Sequence, residues 1–164
     1  MNIMKKINFL KKLCKEDKLK CVEPSEEIKN SYIEKSESNL ISARILLENN
    51  RLEESVSLAY YSMYHILTAL FFAVGIKCEN HTGSIILLKD IFNIDNSEIS
   101  FAKSERIDKQ YYIDFHINKQ EVIETIQKSE IFRKTLFDFI SKLNTEKMNA
   151  YKFKFNELLN FLAK

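Results

Sequence analysis

Glycine and proline are almost missing from this chain: two glycines and one proline in 164 residues. Sheets joined by tight turns need more of both, so the sequence predicts mostly helix with few connections. With two glycines there is also no glycine-rich loop to cradle phosphates. The three cysteines, Cys14, Cys21 and Cys78, are odd in number and form no CxxC pair. That argues against a zinc site or a disulfide framework and for free thiols in a reducing compartment. No HExxH or paired metal-ligand spacing occurs, so no metal and no cofactor is expected. The longest apolar run, residues 66–76 with Thr68 and Gly75 inside it, is too short to span a bilayer. The N-terminal lysines are not followed by the apolar stretch of a secretory signal. The expectation is a cytoplasmic protein with no membrane contact. A net charge of +2 gives no strong nucleic-acid signal by itself.

What is present is a pattern of helices. The chain is 45% hydrophobic and 29% charged, as in a soluble globular protein, and its length suits one domain with a real core. The organising stretch is RLEESVSLAYYSMYHILTALFFAVG, from Arg51. Leu52, Val56, Ala59, Met63, Ile66, Leu70 and Ala73 follow the spacing of one helical face. Tyr60, Tyr64, Leu67 and Phe71 form a second apolar face, which predicts the central helix of a bundle. Between the two runs a third line, Tyr61, His65, Thr68 and Phe72, apolar in bulk with hydrogen-bonding tips.

Residues 1–22 carry seven lysines against Glu16 and Asp17. Ile3, Ile7, Leu10 and Cys14 form a short apolar stripe, which predicts a docked amphipathic helix with a solvated lysine face. An electrostatic arm for RNA is the alternative, weakened by the lack of interleaved aromatics beyond Phe9. Pro24-Ser25-Glu26-Glu27 is a helix start, with Ile28, Tyr32, Leu40, Ala43 and Leu47 facing inward as far as about Leu47. Asn49-Asn50 breaks that helix, and the short break makes the next one antiparallel. Gly75 ends the central helix as a left-handed residue. A loop over Ile76 to Gly83 leads into a helix from Thr82 or Gly83, with Ile85, Leu88 and Phe92 as core positions. A further helix over Ser97 to about Phe115 has an irregular pattern. Asn118 and Glu121 suit a capping box for a helix carrying Val122, Ile126, Phe132, Leu136, Phe139 and Leu143. A last helix carries Tyr151, Phe155, Leu158 and Leu162.

Three histidines, His65, His81 and His116, are the candidates for acid–base work, and each needs a partner. His65 stands one turn after Tyr61, so a phenol and an imidazole share one line. The simpler reading of His65 is a satisfied core or interface histidine. His81 sits at a loop-to-helix junction, where its plain role is to satisfy free helix amides or the adjacent loop. Arg106 precedes Tyr111 and Tyr112. Its planar fork suits a phosphate, or a structural ion pair with Asp108 or a neighbouring acid.

Two segments, AYYSMYHILTALFFAVGI and NHTGSIILLKDIF, resemble the HEPN domain, and more narrowly the small prokaryotic HEPN proteins of the UPF0332 type. The lead-in EPSEEIKNSYIEKSESNLISARILLENNRLEESVSLAYY follows the same pattern. The resemblance covers about residues 19–142 within a single domain of residues 1–164, with 144–164 as an additional C-terminal helix. It implies an all-α antiparallel bundle of four to five main helices, with extra N-terminal and C-terminal helices. It further implies a homodimer, a toxin–antitoxin or defence setting, and a possible nucleotidyltransferase antitoxin as partner. Many members are metal-independent RNases with an R-x4–6-H motif; others bind nucleotides or RNA. Here Arg44, Arg51, Arg106 and Arg133 have no histidine at that spacing. His116 lies ten positions beyond Arg106, and Lys109-Gln110-Tyr111 stands where the family has Ala-Asp-Tyr. The expected function is a nucleotide-, RNA- or partner-binding component acting through Tyr61, His65, His81, Arg106 and Tyr111. The alternative is an RNase toxin using His65 and Arg106 as catalytic residues.

Overall fold

The computed structural model describes residues 2–111 and 118–164, with the side chains of residues 108–111 excepted. The described residues form α1 (Ile3–Lys15), β1 (Leu19–Cys21), α2 (Glu26–Glu48), α3 (Leu52–Val74), β2 (Ile76–Cys78), α4 (His81–Phe92), α5 (Ser97–Tyr111), α6 (Lys119–Ser141) and α7 (Thr145–Ala163). This is the all-α bundle expected, with α1 and α7 as extra helices at its ends.

The caps fall where short polar side chains precede apolar periodicity. Ser25 accepts from Ile28 N–H, Asn118 from Glu121 N–H and Asn144 from Lys147 N–H. Each satisfies one of the orphan donors of a first helical turn. Gly75 closes α3 at φ 82°, the left-handed region that only glycine enters at little cost. A Cβ there would lie 2.5 Å from the Val22 carbonyl oxygen, so chain crowding and conformation both require glycine.

Helix α3 packs against α2, α5 and α6. By length and composition alone it would suffice to cross a bilayer, but more than half of its 23 residues are buried by these neighbours. Small residues let α2 and α3 approach closely. Ser36 Oγ donates to the Ser62 carbonyl at 2.8 Å, and Ser62 Oγ donates to the Ser36 carbonyl at 2.7 Å. Ser55 and Ser129 make the same kind of bond to the carbonyls of Ala43 and Ala59. Buried hydroxyls are thus satisfied rather than stranded. The main core gathers Leu10, Leu13, Met63, Leu67, Leu88 and Phe155 from four helices. A smaller one joins Leu40, Ala43, Val56, Ala59, Val122 and Ile126.

Three expectations need correction. The segment after Gly75 is not wholly loop: β2 pairs antiparallel with β1, Lys20 opposite Lys77. Three-residue strands are too short to show a period of two. Helix α4 begins at His81 rather than Thr82 or Gly83, because Asn80 caps it through Gly83 N–H at 2.9 Å. Finally, Ile28 is 40% exposed and Ile3 74% exposed; both lie in first turns at the edge of the bundle. The helix from Ser97 is described to Tyr111, and its expected extension to Phe115 lies outside the described residues, as does His116.

Candidate functional site

The loop between β2 and α4 matters because of what it delivers. Glu79 N–H donates to the Lys18 carbonyl at 2.8 Å, which ties the end of the ribbon to the residue before β1. Asn80 then caps α4, and His81 takes its first helical position against α3. Tyr60, fully buried on α3, reaches His81 Nδ1 with its hydroxyl at 2.6 Å. Tyr64, one turn along, stacks on the same imidazole, with centroids 3.8 Å apart and planes 7° apart. Tyr61 meets His81 edge-on at 6.1 Å and stacks loosely on His65 at 6.1 Å. Helix α5 completes the cluster. The Arg106 guanidinium lies over the Tyr61 ring at 5.1 Å and the Tyr60 ring at 5.6 Å, a cation–π arrangement. Lys103, one turn earlier, donates to Thr82 Oγ1.

Four of the expected residues, Tyr61, His65, His81 and Arg106, therefore meet on one side of the bundle, although Arg106 has no histidine at nuclease spacing. The Tyr111 side chain lies outside the described residues. Sequence reasoning missed four contributors. Tyr60 and Tyr64 read as apolar-face residues, but the buried Tyr60 carries its hydroxyl into the site and the half-buried Tyr64 lays its ring on His81. Lys103 sat in the irregular pattern of α5. Asn39 on α2 lies 3.0 Å from His65 Nδ1 through its side-chain amide nitrogen.

Protonation follows from these neighbours. Burial first, then the positive charges of Arg106 and Lys103, hold His81 down at about 4, so the ring is neutral at physiological pH. Burial and Lys35 lower His65 as well. Burial raises Tyr60 and Tyr64, which keeps both phenols protonated. Burial and Arg106 lower Lys103. An imidazole nitrogen is a better acceptor than a phenol oxygen, so Tyr60 O–H donates to His81 Nδ1 and the ring proton resides on Nε2. The Asn39 amide donating to His65 Nδ1 selects the same tautomer there. Both rings thus offer an Nε2–H donor, in a setting made positive by Arg106, Lys103 and the α4 N-terminus. Such a set suits a phosphate oxygen. It suits proton abstraction poorly, since a general base needs an unprotonated nitrogen facing the substrate.

Among the described residues no three His, Cys, Asp or Glu side chains are arranged to hold a metal. A separate pocket of about 340 Å³, lined by Ile94, Asp95, Glu98, Lys128, Phe132 and Leu136 among others, includes none of the clustered histidines, tyrosines or Arg106.

The HEPN domain family model matches residues 30–142, which leaves α1, β1 and α7 outside it. "UPF0332 protein PH1297" of Pyrococcus horikoshii is 46% identical over 54 residues, 33% of this chain. That match spans 38% of the Pyrococcus protein, well under half its length. "Putative toxin MJ0605" of Methanocaldococcus jannaschii is 29% identical over 114 residues, 65% of this chain and 84% of that protein.

Proposed function

Because the chain belongs to the HEPN domain family, we propose that it is a toxin-like HEPN component that binds the phosphate of a nucleotide or RNA at the His81–Arg106 cluster. The observation that carries this reading is the convergence of Tyr61, His65, His81 and Arg106, with both imidazoles held as neutral Nε2–H donors beside two cationic side chains. The toxin likeness rests on the name of the Methanocaldococcus relative. A toxin–antitoxin or defence setting, a homodimer, a nucleotidyltransferase antitoxin and a cytoplasmic location complete the proposal, and rest on the family resemblance. The chain acts as a single domain, with α7 as its C-terminal addition.

The test is calorimetric titration of purified protein with AMP, inorganic phosphate and a short single-stranded RNA. Binding should weaken at least tenfold in both His81→Ala and Arg106→Ala, as expected for charge-assisted hydrogen bonds of roughly 1.5–3 kcal/mol. Unchanged affinity in both variants would refute the assignment.

One part of the same convergence favours the alternative of a metal-independent RNase: it brings an arginine and two imidazoles together without the linear motif, with both rings set as proton donors and neither as the base. In that reaction the ribose 2′-hydroxyl attacks phosphorus and loses its proton to a base. The P–O5′ bond breaks, and the departing oxygen is protonated by an acid. Arg106 would stabilise the phosphorane charge. Cleavage of RNA in EDTA that disappears in His65→Ala and Arg106→Ala would establish this reading over simple binding.

A further inference from the structure

Helices α5 and α6 border a groove that shares no residue with the His81–Arg106 cluster. At one end lies the pocket of about 340 Å³, with the buried Phe132 and Leu136 as its floor. Ile131, which also lines it, leaves 66% of its surface in solvent. At the other end is a second hollow of about 200 Å³ beside Phe101, Glu124 and Thr125. Phe101 is 52% exposed. Lys128 lines both hollows and joins them. Its ammonium stands over the Phe101 ring at 5.0 Å and 3.5 Å from the Glu98 carboxylate. From Glu121 to Thr135 the groove follows about 20 Å of α6, at a helical rise of about 1.5 Å per residue. Large apolar side chains exposed at both ends of one groove, over a buried apolar floor, differ from the single apolar residues scattered on any surface.

The charges along the groove are one-sided. Among the described residues that line it they are Asp95, Glu98, Glu105, Glu121 and Glu124 against Lys128. Such a field repels the phosphates of RNA or of a lipid surface and attracts a cationic partner. Both walls are helices, whose backbone hydrogen bonds are made internally, so there is no strand edge to which an extended peptide could add. An apolar pocket at one end and carboxylates along the rest fit a helix laid in the groove. We infer that the α5–α6 groove docks a basic amphipathic helix of a partner protein. A large apolar side chain of that helix sits on Phe132 and Leu136, and its lysines or arginines face the carboxylates. A second copy of this chain is a poorer occupant. Its lysine-rich α1 has the right composition, but Leu10 and Leu13 of that helix are already buried in its own core.

Fluorescence anisotropy with a labelled peptide tests this. The probe is a synthetic helix of alanine, leucine and lysine, about 14 residues long to match the groove, with leucines at one end of its face and lysines along the rest. It should bind the intact protein, and the same peptide with glutamate for lysine should bind at least tenfold more weakly. Ile131→Glu and Glu124→Lys, both at exposed positions, should each weaken the lysine peptide tenfold or more, as loss of a central contact does. Thermal melts check that both variants fold. Failure of the lysine peptide to bind, equal binding of the glutamate peptide, or an affinity unchanged in folded Ile131→Glu overturns the docking site. Sedimentation without peptide examines the other occupant. Self-association of the wild type that Ile131→Glu abolishes would give the groove to a second copy and overturn the basic partner.

Discussion

Lowering the pH from 7 to 5 should destabilise the wild-type protein more than a His81→Gln variant. His81 has an ordinary value of 6.5 and is held at about 4 in the fold. Its folded value is depressed, so the unfolded chain takes up the proton first as pH falls. Stability is complete above about pH 6.5 and drains away towards pH 4. At pH 5 the imbalance amounts to about 2 kcal/mol at full strength, against almost nothing at pH 7. The ring is only half-buried, and solvent screening reduces the figure to about 1 kcal/mol. For a chain of this size that corresponds to about 2–4 °C in Tm. The groups facing the ring are common to both proteins: Tyr60, Tyr61 and Tyr64 from α3, His65 beside them, and Arg106 and Lys103 of α5. Carboxylates with lowered values, Glu16, Glu54, Glu79 and Asp95, act below about pH 4.5 and are common to both. Glutamine keeps an acceptor for the Tyr60 hydroxyl but cannot titrate. Parallel melting curves for the two proteins from pH 7 to 5 would refute the reasoning.

Other expectations are simpler. Tyr60→Phe strands His81 Nδ1 at the edge of the core and should cost about 1–2 kcal/mol in chemical denaturation. In the same variant, nitrogen NMR should show His81 losing its strict Nε2–H tautomer. Gly75→Ala should destabilise by more than about 1 kcal/mol, since it combines a left-handed residue with a backbone clash; an unchanged denaturation midpoint contradicts it. Replacing both Ser36 and Ser62 by alanine removes two reciprocal bonds between α2 and α3. The loss should be about 1–2 kcal/mol, read by urea unfolding.

The helices are legible in the sequence because the apolar spacing, the asparagine and serine caps and Gly75 all agree. The β1–β2 ribbon is not, since LKC and IKC are too short to alternate. Ile28 shows the limit of periodicity: it keeps the apolar spacing of α2, yet in that helix's first turn it is 40% exposed. The site is half legible. His65, His81, Tyr61 and Arg106 are conspicuous as residues, but their meeting depends on α4 and α5 returning to α3, which no local pattern encodes. Tyr60 and Tyr64 are the instructive misses. A tyrosine counted as apolar fits the core by its ring, and only the fold reveals where its hydroxyl goes. Lys103 is hidden for the opposite reason: among its described side chains α5 buries little beyond Ile99 and Ala102, so its pattern gives no face to read.

The ribbon also sets an order of assembly. The α2–α3 hairpin is local in sequence, whereas β1 and β2 meet across that whole hairpin. Closing so long a loop costs entropy that must be met before the contact returns anything. The hairpin is therefore expected to form early and the ribbon late, with α4 docking once Glu79 N–H can reach the Lys18 carbonyl. On this pathway Asn39 can meet His65 as soon as the hairpin closes, while Tyr60 waits for His81. Half of the His65–His81 cluster is expected to form with the first folding unit and half with the last, so hydrogen exchange should find the start of α4 opening well before the centre of α3.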